Sequence, residues 1–477
     1  MQYQQDLAWE AARARPAPAL KAGSEENALS RLTSPWPALL CLLPAALFTQ
    51  LPPIAGLPIF GYLAVALLLI GGIALMPRLS AWIFGGLSRH ARQTSVPVAL
   101  GIARLANAPS QASIALGGVL SSFSLMVAMA IMVASFRVSV DEWLVRVLPA
   151  DLYVQTAAGG NSGGFTPAQQ TAVAAVPGVA RADFLRMTQL NLDPARPAVA
   201  LIARSIDIRD PGKTLALTGA ALPAQEIPPG VVPIWVSEAM VDLYGYRPGR
   251  QVQLPVAGRM QPCIVAGVWR DYVRQFGAIQ IRVEDYHRLS GDMQADSAGL
   301  WLMPGASSAD VIGAIRRLPF GAALEFSQPG EIRAASLRIF DRSFAVTYLL
   351  EAIAVLIGLF GVATTFSAQT IARVREFGML RHIGATRRQV LGILAVEGLL
   401  LTVIGIAAGF VLGFAISLIL VYVVNPQSFH WTMQLHLPWT LLASVAAVLL
   451  ISATLTAVAA GRQAVSGNAV RAVREDW

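Results

Sequence analysis

Arg373-Val-Arg-Glu-Phe-Gly-Met-Leu-Arg-His-Ile-Gly-Ala-Thr-Arg-Arg-Gln389 leads directly into a long apolar run, and its reading decides the fold. In and beside it, Ile371, Val374, Phe377, Leu380 and Ile383 recur every three residues. That spacing gives a short amphipathic helix with a drifting apolar face. Gly384 is placed to stop the helix as the left-handed residue beyond its C-cap. Thr386 and Gln389 then make a capping box that opens the next helix. The expected order is a short surface helix, a tight turn and a membrane helix. Arg373, Arg375, Arg381, Arg387 and Arg388 oppose Glu376 alone, which places the segment in the cytoplasm by the positive-inside rule. Two uses fit such a helix: a basic anchor, or a lever through which a cytoplasmic partner pushes a span.

The wider composition agrees with membrane residence. Of 477 residues, 55% are hydrophobic and 13% charged, against about a quarter charged in soluble domains. Spans are expected at about 37–53, 57–76, 114–136, 344–367, 389–422 and 438–460, each near the ~20 residues that cross a bilayer as helix. Pro44, Pro52 and Pro53 interrupt the first, which reads as a kinked span or a re-entrant segment. The net charge of +8 does not imply nucleic acid, because the arginines flank the apolar blocks instead of forming an aromatic-interleaved patch. Cys41 and Cys263 fall in different layers, so neither a disulfide nor a metal site is expected.

The resulting layout is an α-helical polytopic membrane protein of about six transmembrane helices with one mixed α+β extracytoplasmic domain. It comprises a cytoplasmic segment 1–35, two linker helices in 36–76, a cytoplasmic basic loop 77–113 and a span 114–136. The extracytoplasmic domain 137–343 follows, then a span 344–367, a cytoplasmic coupling helix in 368–388, two spans in 389–460 and a cytoplasmic tail 461–477. Because residues 1–35 are polar, the first span is expected to serve as its own insertion signal. The loop 77–113 carries Arg78, Arg89, Arg92 and Arg104 without an acid. Trp36, Trp82, Trp143, Trp431 and Trp439 lie near span ends, as an interfacial aromatic belt would have them.

In 137–343, alternation predicts strands at 151–156, 198–203, 251–255, 263–269 and 278–283. Helical patterns appear at 166–175, 237–244 and 309–318, while Gly159 to Gly164 and the proline-rich 222–233 read as loops. From Glu331 one continuous helix is expected to enter the membrane, with Leu337, Phe340 and Phe344 on a common side.

Gly405, Gly409 and Gly413 stand on one helical stripe, extended by Thr402 and Ser417. Such a stripe suits close helix packing within the chain, or a gating or subunit interface. Ser121, Ser124, Ala128 and Ser135 make a similar stripe in the third span. Glu351 and Glu397 are acids inside expected spans, where ionisable groups are costly. Glu397, two turns beyond Arg387 and Arg388, suits an arginine pair, and Glu351 could face a central cleft. Catalytic signals are poor: there is no phosphate-binding G-x-x-x-x-G-K-[ST] and no H-E-x-x-H. His430 and His436 bracket a loop with Trp431 and read as exposed loop histidines, a weak metal or pH role being the alternative. Arg270-Asp271-Tyr272 reads as a strand-end turn with a salt bridge, or as a small binding element.

The quoted segment resembles the signature of the FtsX-like and MacB-like permease family of ABC transporters, and the resemblance continues through Glu397 and Gly398 to cover roughly residues 114–477. It implies a permease subunit in a bacterial cytoplasmic (inner) membrane, with both termini cytoplasmic. The helix would dock on a separate ABC ATPase, so that Arg373, Arg375, Glu376, Phe377, Leu380, Arg381, Gly384, Thr386, Arg387 and Arg388 form or shape the contact. By general interface statistics, Phe377 and the arginines are the better bets among them. ATP and magnesium would bind the partner, this chain holding no cofactor. The work implied is export or extraction of an amphiphile; the rival is a regulatory scaffold that activates a cell-wall hydrolase or other periplasmic partner. Longer relatives carry two four-span units, and only the second is recognisable here. A split gene, a truncated frame, or a subunit pairing with a separate first-half chain or a second copy of itself is therefore expected, with membrane lipid around it.

Overall fold

The computed structural model describes residues 35–90, 94–156 and 164–466, except the side chains of 109–111, Arg375 and 463–466. The expectations for residues 1–34, for Arg92, for the loop from Gly159 to Gly163, and for Arg471 and Arg474 in the tail lie outside the described residues. In chain order the elements begin with helices α1 (Trp36–Phe48), α2 (Ile59–His90), α3 (Val96–Asn107) and α4 (Pro109–Val147). Next come β1 (Leu152–Thr156), α5 (Pro167–Ala174), β2 (Val179–Leu190), β3 (Val199–Arg204), β4 (Val232–Ser237), α6 (Glu238–Tyr244), β5 (Gln251–Val256) and β6 (Arg259–Trp269). They are followed by β7 (Ala278–Arg282), α7 (Val283–Ser290), β8 (Ser297–Leu302), α8 (Ser308–Arg316), β9 (Leu324–Ser327) and α9 (Pro329–Ser343). The last are α10 (Ala345–Ile371), α11 (Val374–His382), α12 (Arg387–Ile419), α13 (Asn425–Phe429) and α14 (Trp439–Ser466). The chain divides into a helical unit, reaching Val133 and resuming over Val346–Val424 and from Leu437, and a sheet unit, Ala134–Ala345 with Asn425–His436.

Among the described residues, five helices are long and apolar enough to cross a membrane: Ile59–His90, Ala112–Val147, Ala345–Ile371, Arg387–Phe429 and Trp439–Arg462. The first expected span is shorter. Helix α1 has 13 residues and contains Pro44, about 20 Å of helix against a hydrocarbon core of about 30 Å. It lies against α2, where a Cβ at Gly71 would come within 2.8 Å of Leu42.

Helix α4 is the centre of the helical unit. Leu116, Val119 and Leu120 form a core with Val362, Phe366, Leu401, Leu412 and Ile416. The glycine stripe of α12 faces it: a Cβ would stand 2.7 Å from Val119 at Gly405, 3.3 Å from the Leu120 carbonyl at Gly409, and 2.5 Å from the Ser124 carbonyl at Gly413. Close approach of this kind matters in lipid, where burying apolar surface gives little drive and dispersion contacts must hold helices together. Helix α10 is the contrasting case. Val346, Leu349, Leu356, Ile357 and Phe360 are exposed along it, and Glu351 is half-buried without a hydrogen bond or ion pair among the described residues.

The sheet unit holds a nine-stranded sheet in the order β5-β6-β4-β7-β3-β2-β8-β1-β9. Strand β2 joins its halves, pairing with β8 over Val179–Leu185 and with β3 over Arg186–Leu190. One core gathers Val199, Leu201, Val232, Ile234, Cys263, Val265, Ile279 and Ile281; the other gathers Leu152, Val154, Val173, Leu300, Val311 and Ile315. Every residue of β4 is buried, so it shows no polar alternation, and its start lay inside the expected proline-rich loop. The expected continuous helix from Glu331 is interrupted at Phe344 (φ −90°, ψ 1°). There the Ser343 hydroxyl donates to the Ile339 carbonyl at 2.9 Å, a side-chain bond that competes with helix continuation.

Gly413→Ala is expected to lower stability by about 1–3 kcal/mol through overpacking, whereas Gly118→Ala, with open space around its Cβ, is neutral or slightly stabilising. Thermal unfolding of the detergent-solubilised chain compares them. Burial pushes the Cys263 thiol up to about 12, so the folded chain should resist alkylation there at pH 8, and peptide mass mapping should find Cys263 modified only after denaturation.

Candidate functional site

The junction of α11 with α12 is built from local chemistry. The Thr386 hydroxyl accepts from the Gln389 N–H at 3.3 Å, and the Gln389 side chain accepts from the Thr386 N–H at 2.8 Å. Together they satisfy two of the orphan donors at the start of α12. Gly384 has φ +103°, a conformation in which a Cβ is strained. The Gly384 and Ala385 N–H groups return to the Arg381 and Leu380 carbonyls at 3.1 and 3.0 Å, closing the end of α11.

Four charges meet beside this turn. Glu397, ten residues into α12, is bidentate with Arg373, whose Nη1 and Nη2 donate to its carboxylate at 2.7 and 3.3 Å. Arg104 of α3 donates to the same carboxylate at 3.1 and 3.4 Å. Glu376 completes the set, 3.1 Å from Arg373 Nε and 3.6 Å from Arg104 Nη2. The Arg373 and Glu397 side chains are only 8% and 7% exposed, so each relies on the other for its polar contacts. The cluster is formally neutral, two arginines against two glutamates. It ties the start of α11 to α3 and to the interior of α12.

Phe377, expected to form or shape the contact, is turned inward. It is 1% exposed, packed with Val390 and Leu394 and flanked by Leu380 and Ala385, while the Arg373 guanidinium lies 4.9 Å from its ring centroid. Phe377 and Arg373 therefore hold α11 on α12 and cannot themselves form a contact with another chain in this arrangement. The exposed ridge of the segment consists of Met379 (61%), Ile383 (85%), His382, Thr386, Arg387 and Arg388, with Gly384 at the turn, Glu376 at its edge and Arg381 half-buried. The Arg375 side chain lies outside the described residues. Met379 was not singled out by the sequence reading, Ile383 counted only as part of the apolar face, and Arg104 was counted only as loop charge. The amphipathic pattern of Val96–Asn107, which buries Gly101, Ile102 and Leu105, was the signal that could have placed Arg104 on a packed helix.

Glu397 thus has arginine partners, but they are Arg373 and Arg104 instead of Arg387 and Arg388. Of the five tryptophans near expected span ends, Trp431 is 4% exposed and stacked on Phe136, and the half-buried Trp143 donates its indole N–H to the Arg270 carbonyl at 2.9 Å. Among the described residues no group of three or more His, Cys, Asp or Glu could hold a metal ion. The described residues of the junction offer rigidity and charge.

Spanning helices that carry a sheet domain and a basic helix locked on a span define a polytopic membrane protein. Residues 348–469 match the family described as FtsX-like permease C-terminal. The chain is 30% identical over 343 residues to an uncharacterized ABC transporter permease protein of Mycobacterium tuberculosis, covering 69% of this chain and 39% of that relative. Residues 348–469 are thus an FtsX-like permease C-terminal region, and the chain spans about two fifths of the length of that curated relative. Among solved structures, the periplasmic region of MacB from Actinobacillus actinomycetemcomitans matches 40% of this chain and 94% of its own length, at 10% identity and TM-score 0.30. The extracellular domain of the noncanonic ABC-type transporter YknZ from Gram-positive bacteria matches 38% of this chain and 99% of its own, at 15% identity and TM-score 0.27.

Glu397→Ala leaves the buried Arg373 guanidinium and the partly exposed Arg104 guanidinium without the Glu397 carboxylate and is expected to cost about 3–5 kcal/mol. Arg104→Ala, removing the more exposed partner, costs less. A double-mutant cycle of Glu397 with each arginine, read by thermal unfolding, should give the larger coupling energy for Arg373.

Proposed function

We propose that this chain is the permease subunit of an ABC transporter whose ATPase is a separate chain docking on the exposed ridge of α11. The observation that carries the reading is the four-charge cluster with Phe377 beneath it. A helix that only anchored a loop in the headgroups would need arginines and no buried bidentate pair. A helix that must transmit force needs to be unable to roll or slide on its span. Bidentate geometry supplies that, because two parallel N–H···O bonds fix orientation as well as distance.

In this reading the α11 end faces the cytoplasm and the sheet domain the opposite side of a bacterial cytoplasmic membrane. ATP and magnesium bind the partner. Its closure displaces α11, and α12 moves with it as one body. The large apolar and small basic content of the ridge, Met379 and Ile383 beside Arg387 and Arg388, suits a groove with an acidic rim. The work performed on the far side is export or extraction of an amphiphile. A further permease half, either a first-half chain or a second copy, would complete the assembly.

Ile383→Asp combined with Met379→Asp should abolish stimulation of the ATPase in reconstituted vesicles while leaving the unfolding temperature of the chain within a degree or two. Arg388→Glu should weaken pairing and make it more salt-sensitive. Phe377→Asp is expected to fail differently, by unfolding α11. Full stimulation by the Ile383→Asp/Met379→Asp chain would remove the docking assignment.

A further inference from the structure

The loop between the last two spanning helices is built into the sheet unit. Its residues 425–436 make a chain of specific bonds with three segments far apart in sequence. Thr432 is the centre. Its N–H donates to Glu238 Oε2 at 3.1 Å and its hydroxyl donates to Glu238 Oε1 at 2.7 Å. The same hydroxyl accepts from Arg270 Nη2 at 2.9 Å, and its carbonyl accepts from the Tyr272 hydroxyl at 3.1 Å. Burial raises the pKa of that tyrosine hydroxyl, keeping it a donor. Arg270 Nε lies 3.6 Å from Glu238, so the site that receives Thr432 is itself held together by charge.

Neighbouring residues extend the grip. Trp431 lies stacked on Phe136 at 4.6 Å and edge-on to Tyr272 at 4.8 Å between ring centroids. The Asn425 side chain donates to the Trp431 carbonyl at 2.9 Å, closing the loop on itself. Beyond it the Gln434 N–H donates to the Ser139 hydroxyl at 3.1 Å and the His436 N–H to the Ser135 hydroxyl at 2.9 Å. The repeat matches: two residues of extended chain advance about 6.6 Å, and four residues of helix advance about 6.0 Å. The loop thus runs antiparallel along α4, taking one serine per turn. His430 and His436 stand beside Asp242 at 3.5 Å and Glu142 at 3.8 Å, further contacts of the same strap.

We propose that residues 425–436 are a strap through which displacement of α12 is carried to the sheet domain, with Thr432 as the positioning residue in the Glu238–Arg270–Tyr272 site. The proposal rests on the ATP-coupling reading above and adds a route to it. Among the described residues the chain otherwise enters and leaves the sheet unit along α4 and α9. The strap is covalently continuous with α12, the helix whose buried end is gripped by α11. A loop that served only to join two spans would not need four hydrogen bonds on one threonine and a buried tryptophan beside it.

The test is hydrogen exchange of the full chain in nanodiscs with its ATPase partner, with and without ATP. In the native chain nucleotide should change exchange at α11 and at residues 263–282. In Thr432→Val the α11 response should remain and the 263–282 response be lost, and Thr432→Ser, which keeps the hydroxyl, should restore it. Protection of β4 without nucleotide checks that the sheet is folded; if Thr432→Val fails that check, Ser139→Ala decides by the same readout. A 263–282 response equal to native in a folded variant, or absent from a native chain whose α11 responds, overturns the strap alone. No response at α11 in the native chain overturns the coupling reading and takes the strap with it.

Discussion

A carboxylate buried beside two guanidinium groups is the constraint on which the helical unit depends. At an effective dielectric constant near 20, charges about 4 Å apart attract by about 4 kcal/mol, and taking ions out of water costs several kcal/mol each. The two magnitudes nearly cancel, so the Glu397 cluster is weak as a source of net stability. Its effect lies in what it forbids. With Arg373 and Glu397 both below a tenth exposed, any movement that separates them leaves an uncompensated charge in a poorly hydrated place. Helices α3, α11 and α12 are therefore confined to arrangements in which Arg104, Arg373 and Glu397 remain together.

Small residues complete what charge begins. The Gly405–Gly409–Gly413 stripe brings α12 against α4 so closely that two of the three positions would put a Cβ within 3 Å of a neighbour. Helix α12 is thus gripped at one end by ions and along its middle by backbone contact. Helix α10 has one such close approach, at Gly358 against Ser122 of α4, and its row of exposed Leu, Ile and Phe side chains meets lipid or another chain. Rigidity in this unit is concentrated on one helix instead of being shared evenly.

The sequence made the local grammar plain and the long-range partners much less so. The capping box at Thr386 and Gln389, the stop at Gly384 and the apolar blocks follow from spacings of a few residues, and five spanning helices lie where those blocks stand. Strand β4 was hidden because a strand buried on both faces loses the two-residue alternation that marks a strand, and Pro233 made it look like loop. Strand β2 was hidden because it changes partner midway. Glu397 could be matched to arginine by chemistry, yet Arg104 lies 293 residues away and nothing in local spacing selects it over Arg387 or Arg388. Thr432 likewise lies 194 residues from Glu238 and 162 from Arg270, although Arg270-Asp271-Tyr272 already stood out as a polar turn at a strand end.

The inward position of Phe377 was contained in the three-residue repeat. Three residues of α-helix turn about 300°, so an apolar row with that spacing slips back by about 60° at each step. Across Val374, Phe377, Leu380 and Ile383 the slip accumulates to about 180°, wider than any one contact face. One side of so short a helix can bury only the middle of the row. Phe377 is 1% exposed, Val374 and Leu380 are half-buried, Ile383, just past the C-terminal end, is 85% exposed, and Ile371, at the end of α10, is 66% exposed. A drifting row therefore gives the helix an inner seam for its own span and apolar ends for something else, whereas an even heptad stripe would have buried everything and left only charge outside.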